Sequence, residues 1–136
     1  ILTKYKEQAK VLYEMLDGVA DNIFLLYGDN TDRQNFEIRE NLKKVKDEET
    51  MILVATGQKI GEGFDCPRLD TLMLAAPVSY DGRLEQYLGR LNRDYKGKEA
   101  VYVYDYIDSH IRYFDNMYIK RLRTYKRTGF THKTKY

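Results

Sequence analysis

The sequence predicts an α/β domain of three layers, a mostly parallel sheet with helices on both faces. Three observations predict it. Short continuous apolar runs, NIFLLY at 22–27, MILVA at 51–55 and TLMLA at 71–75, read as strands covered on both sides. Between them lie polar stretches whose apolar residues return every three or four positions, as on one face of a helix. The alternation of the two is the rhythm of parallel strands joined by helical crossovers.

Each element follows from local chemistry. Tyr5, Ala9, Leu12 and Leu16 mark a first helix, stopped near Gly18. The run at 22–27 ends at Gly28. A polar helix over 31–46 is capped by Asn30 or Thr31 ahead of Asp32, with Phe36, Ile38, Leu42 and Val45 as its inner positions. Strand 51–55 leads into Thr56-Gly-Gln-Lys-Ile-Gly-Glu-Gly63-Phe-Asp65-Cys-Pro67, and strand 71–75 follows. A helix spans 82–93. At 100–107, AVYVYDYI, Val and Ile alternate with Tyr, as in a strand. Asp108 or Ser109 then caps a last helix that reaches about Lys126, and the residues beyond Gly129 show no periodicity.

A chain of 136 residues forms one domain with a single core. No apolar run approaches the roughly 20 residues of a membrane span, and no leader pattern opens the chain. One cysteine, Cys66, excludes an internal disulfide and fits a reducing compartment, so a cytoplasmic location with no membrane partner is expected. Two distant histidines and one cysteine offer no metal-ligand spacing. The chain opens without Met, inside a strand pattern, and is expected to be a piece of a longer polypeptide. The net charge of +2 hides an asymmetry. Residues 1–108 are net acidic. Residues 109–136 form a basic, aromatic helix and tail with Arg112, Lys120, Arg121, Arg123, Lys126, Arg127, Lys133 and Lys135, a polyanion-facing pattern. Ile111, Phe114, Tyr118, Ile119 and Leu122 give that helix an apolar side.

The chemistry concentrates in two segments. In Gln86-Tyr-Leu-Gly-Arg90-Leu-Asn-Arg93, a helix places Gln86, Arg90 and Arg93 on one stripe and Leu84, Tyr87, Leu88 and Leu91 on the opposite side. Two guanidiniums side by side grip anions with several donors, a polyphosphate above all. In parallel sheets the working loops lie at the carboxyl ends of the strands. The glycine-rich loop from Thr56 to Asp65 and the Arg-bearing helix therefore meet at one edge.

Thr-x6-Gly-x-Asp-x-Pro at the end of one strand, followed by Gln-x-x-Gly-Arg-x-x-Arg, resembles motifs V and VI of superfamily 2 helicases and translocases. The wording Ala-Thr-Gly-Gln…Gly-Glu-Gly-Phe-Asp-Cys-Pro-Arg-Leu-Asp-Thr-Leu is similar to DEAD/DEAH-box helicase subunits of type III restriction enzymes. The resemblance covers most of the chain and implies the C-terminal RecA-like lobe alone. It implies that Arg93 is an arginine finger for the γ-phosphate of ATP held by the other lobe, with Arg90 beside it. It implies that Gln86 orients the nucleotide or its attacking water. Asp65 would contact the ribose hydroxyls, Gly63 would let the backbone approach closely, and Thr56 would touch the nucleic-acid backbone. ATP and Mg2+ would be held mainly by the other lobe. This chain has neither a Gly-x-x-x-x-Gly-Lys-[Ser/Thr] loop nor an Asp-Glu-x-His motif, and Gly97-Lys98 lacks the upstream glycine of a P-loop. Alone it is expected to be inert as an ATPase. The implied partners are DNA, with RNA left open, the N-terminal RecA-like lobe of the same polypeptide, and a nuclease or restriction-modification subunit. The competing expectation is a non-catalytic nucleic-acid-binding module with the same fold.

Overall fold

The computed structural model describes residues 1–60, 64–77 and 83–133. Strands Leu2–Thr3 (β1), Asn22–Leu26 (β2), Met51–Thr56 (β3), Thr71–Leu74 (β4) and Tyr102–Asp105 (β5) form one sheet in the order β2-β3-β1-β4-β5. Every pairing is parallel. The helices are Lys6–Met15 (α1), Asp32–Lys44 (α2), the short Gly57–Ile60 (α3), Arg83–Leu91 (α4) and Arg112–Arg127 (α5).

Register and handedness explain the layers. Leu26, Ala55, Leu2, Leu74 and Asp105 stand side by side across the five strands and share one face. The links from β2 to β3, β3 to β4 and β4 to β5 all progress across the sheet in one direction. The β1-to-β2 link goes the other way. Right-handed crossovers then put α1 on the opposite face from α2 and α4. Leu42 of α2 packs with Leu26, Leu53, Ala55 and Phe64. Leu84, Tyr87 and Leu88 of α4 join Leu2, Leu74 and Tyr125 of α5. On the other face α1 packs on β1, β2 and β3 through the fully buried Ala9. Beside it, Tyr102 and Tyr104 of β5 remain 56% and 44% exposed, the wet positions of that alternating strand.

Three expectations need correction. Phe36 is not an inner position of α2: it is 62% exposed, and Asn35 is buried in its place. A full capping box at Thr31 and Gln34 starts the helix. Seven residues before Leu42 and three before Ile38 falls Asn35, so the sheet-facing stripe passes through it, while Phe36 lies well off the stripe. Asn35 Oδ1 accepts from Asn30 Nδ2 at 3.0 Å, which satisfies the buried amide. Neither Asp108 nor Ser109 caps α5. Ile111 is the N-cap residue, without a side-chain cap, because residues 108–111 close a turn of their own through the Ile111 amide and the Asp108 carbonyl. Nor do Ile111 and Ile119 dock: both are more than two-fifths exposed. Leu122 does dock, as its place on the apolar side predicts, together with Tyr125 and Phe130.

Arg121, which the charge pattern placed among surface cations, is the largest fully buried side chain. Its Nε and Nη2 donate to Asp105 Oδ2 and Oδ1 at 2.7 and 2.8 Å, a two-pronged pair, and Tyr125 Oη donates to Oδ2 at 2.7 Å. Burial, with the Asp105 charge beside it, pushes the Tyr125 phenol well above its ordinary range. The triad fastens α5 to the end of β5. Removing one member of a buried pair strands the other charge. Arg121→Ala is expected to lower the unfolding free energy by about 3–5 kcal/mol, and Tyr125→Phe by about 1.5–3 kcal/mol, both read from urea denaturation. Thr31→Ala, which removes the cap of α2, is expected to cost about 1 kcal/mol in the same assay.

Candidate functional site

The strand ends collect the chemistry. β3 ends at Thr56, beside Thr3 of β1 in register. Both are almost fully buried, so the Thr56 hydroxyl lies within the packed rim. The chain turns directly into α3. Gly57 leaves room for a close approach: Tyr87 Oη of α4 donates to its carbonyl at 3.0 Å, and a Cβ on Gly57 would sit 3.1 Å from the Tyr87 hydroxyl, which would have to give by a few tenths of an ångström. One turn along α4, Arg90 Nη1 donates to the Ile60 carbonyl. Two α4 side chains thus hold α3 by its backbone.

The loop after α3 carries Asp65. Gly63 lies outside the described residues. Phe64 is buried against Leu26, Leu42, Leu53 and Ala55, and Cys66 packs at the margin of that cluster. Burial raises the Cys66 thiol, which fits a small protonated filler rather than a nucleophile. Arg68 donates from Nη1 to the Val45 and Lys46 carbonyls, both at 3.1 Å, and from Nη2 to the Glu49 carbonyl at 2.8 Å. One guanidinium so satisfies carbonyls past the end of α2 and fixes the loop to that helix.

Leu84, Tyr87, Leu88 and Leu91 of α4 are buried as the stripe predicts, and Gln86 is exposed. Arg93 differs from expectation in one respect: α4 ends at Leu91, and Arg93 sits in the turn beyond it, its amide donating to the Arg90 carbonyl at 3.3 Å. Its direction is therefore set by that turn and not by the helical stripe. The turn brings Arg93 Nε to 3.6 Å from Asp65 Oδ1, with the two side chains 57% and 47% exposed. Arg93 and Asp65 are brought together. Among the described residues Gln86 enters no hydrogen bond with either. A hollow of about 600 Å³ opens beside Asp65, lined by Phe36, Arg39, Pro67 and Tyr95 among others; Arg93 is not in its lining.

Sequence reasoning missed Lys98 and Arg68. Lys98 donates to the carbonyls of Pro67 at 2.9 Å and Arg93 at 2.8 Å, and to that of Leu91. The available signal was Gly97, whose φ of +81° makes the turn that directs Lys98 inward. Among the described residues no group of His, Cys, Asp and Glu could hold a metal, and no helix is long and apolar enough to cross a membrane.

No family model matches the chain. The uncharacterized protein 108L of Invertebrate iridescent virus 3 is 43% identical over 84 residues, which are 61% of this chain and 75% of that protein. "Putative helicase 161L" of Invertebrate iridescent virus 6 is 37% identical over 84 residues, 61% of this chain and 18% of that protein. Transcript termination protein A18 of Cowpox virus (strain Brighton Red) is 28% identical over 124 residues, 90% of this chain and 25% of that protein. The chain thus spans a quarter or less of the two longer relatives. Among solved structures, T4 UvsW superposes with a TM-score of 0.69 at 20% identity, over 95% of this chain and 28% of that chain. The C-terminal domain of the DEAD-box protein Dbp5 superposes with a TM-score of 0.68 at 16% identity, over 98% of this chain and 71% of that one. The chain belongs to the same family as 108L and has the fold of the C-terminal RecA-like lobe of superfamily 2 helicases.

Proposed function

We propose that the chain is the second motor lobe of an ATP-dependent DNA helicase or translocase, with Arg93 as the arginine finger. The observation that carries the reading is the half-exposed pairing of Arg93, in the turn beyond α4, with Asp65. An exposed ion pair this long is worth about 0–1 kcal/mol. Arg93 therefore exchanges Asp65 for a phosphate at little cost, and Asp65 is then free to accept from ribose hydroxyls. Arg90, tied to Ile60, stands as a second fixed cation, and Gln86 presents amide donors and an acceptor from the exposed side of α4. Thr56 ends β3 at the rim where a nucleic-acid backbone would run.

The residues present fit a nucleotide held from the opposite side: a half-exposed cation and carboxylate side by side, and no phosphate-cradling loop of their own. ATP, with Mg2+ screening its charge, supplies the phosphoanhydride bond and is held by the other lobe. What this chain adds is positive charge aimed where negative charge develops, the main currency of phosphoryl transfer. Supplying it from a separate lobe makes hydrolysis conditional on closure. The relative named "Putative helicase 161L" supports a nucleic-acid motor. A nuclease or restriction-modification subunit is a further partner on the motif resemblance alone.

The competing reading, a binding module that keeps the fold without the chemistry, draws on Arg112, Arg123 and Lys126, exposed along α5. One variant separates the two. In the complete two-lobe polypeptide, Arg93→Ala is expected to lower DNA-stimulated ATP hydrolysis by at least about 100-fold with DNA binding retained. The binding module gives the reverse, normal hydrolysis with weakened DNA binding. The chain by itself is expected to release no phosphate from ATP above background.

A further inference from the structure

Lys98 is half-buried in a stretch, 92–100, whose other residues are all exposed. A turn carries it inward: its amide donates to the Tyr95 carbonyl at 3.0 Å, and Gly97 takes the positive φ that the turn needs. Its ammonium then meets three backbone carbonyls, those of Leu91, Arg93 and Pro67. An ammonium has three N–H groups, so all three donors are spent and its orientation is fixed. Leu91 is the last residue of α4, where carbonyls lack helical partners and a cation is favoured. Burial lowers the Lys98 pKa, and the charges of Asp70 and Asp94 oppose that shift from a distance.

Pro67 is two residues from Asp65 and adjacent to Arg68, which is itself fastened to the carbonyls beyond α2. One nitrogen of Lys98 thus joins an anchored loop to the backbone of Arg93. Among the described residues no other side chain ties the Arg93 backbone to this loop, and the contact of Arg93 with Asp65 is loose at 3.6 Å.

We propose that Lys98 is a positioning residue for Arg93: its ammonium binds the turn carrying Arg93 to the loop carrying Asp65 and so sets the reach of the guanidinium toward a phosphoryl group on a facing lobe. This rests on the arginine-finger reading. A misplacement of about 1 Å costs roughly 100-fold in rate. The Lys98 donors are spent on the protein's own carbonyls, so its loss is expected to alter the chemical step and not ground-state binding.

The test is steady-state ATP hydrolysis by the complete two-lobe polypeptide with DNA in excess, for Lys98→Met, Arg93→Ala and the double variant. Lys98→Met is expected to lower kcat by about 10–100-fold while KM for ATP stays within about threefold. On the Arg93→Ala background it is expected to cause no further loss, since there is no guanidinium left to place. A purely structural role fails this readout, because its losses multiply with those of Arg93→Ala. Should Lys98→Met not fold by circular dichroism, Lys98→Gln, which keeps two N–H donors, must show the same kcat-only loss. Unchanged kcat in a folded Lys98 variant, or losses that multiply in the double variant, overturns the proposal and leaves the motor reading standing. Normal hydrolysis by Arg93→Ala overturns the motor reading itself.

Discussion

All five strands run in one direction, and the site depends on that constraint. With every carboxyl end at the same rim, the chain must turn there after β3, β4 and β5 alike. Gly57, directly after β3, and Tyr87 of α4 are therefore neighbours although they are 30 residues apart in sequence. Right-handed crossovers then stack α2 and α4 on one face. Their far ends offer unpaired carbonyls close to the returning loops. The same rule that builds the core thus prepares backbone acceptors beside the site.

Cations use those acceptors. Arg68, Arg90 and Lys98 each donate to backbone carbonyls. In loops that have few ladder hydrogen bonds, this charge-assisted bonding replaces the missing secondary structure. It also spends the cations, so they have fewer donors left for an outside anion. Arg93 is the contrast. Among the described residues its side chain has a single long, exposed contact, with Asp65, while its backbone is held. A fixed base with a loosely held head is the arrangement that catalytic charge stabilisation asks for, since the donor is pre-placed and its displacement from the resting partner costs little.

Much of this was legible in the sequence. The continuous runs at 22–27, 51–55 and 71–75 became β2, β3 and β4 within a residue or two, because strands buried on both faces must be apolar throughout. The Val–Tyr alternation became β5 with its tyrosines in solvent. The apolar stripe of α4 was right at all four leucine and tyrosine positions. What failed has one physical source: a residue's type does not say which partner it will find. Asn35 entered the core because Asn30 was there to satisfy it, leaving Phe36 outside. Arg121 counted as a surface charge until Asp105 and Tyr125 took it in. Arg93 and Asp65 were correctly placed together from motif order, yet Lys98 went unread, because its role is defined by three carbonyls that no side-chain pattern encodes.

The free head of Arg93 has a consequence for tempo. Exposed side chains change rotamer in picoseconds to nanoseconds, whereas domains approach one another in microseconds to milliseconds. On the anchored backbone described above, the guanidinium samples its reach many thousands of times before a neighbouring body can arrive. Readiness at this turn is then permanent, and the clock of any cycle built on it belongs to the arrival.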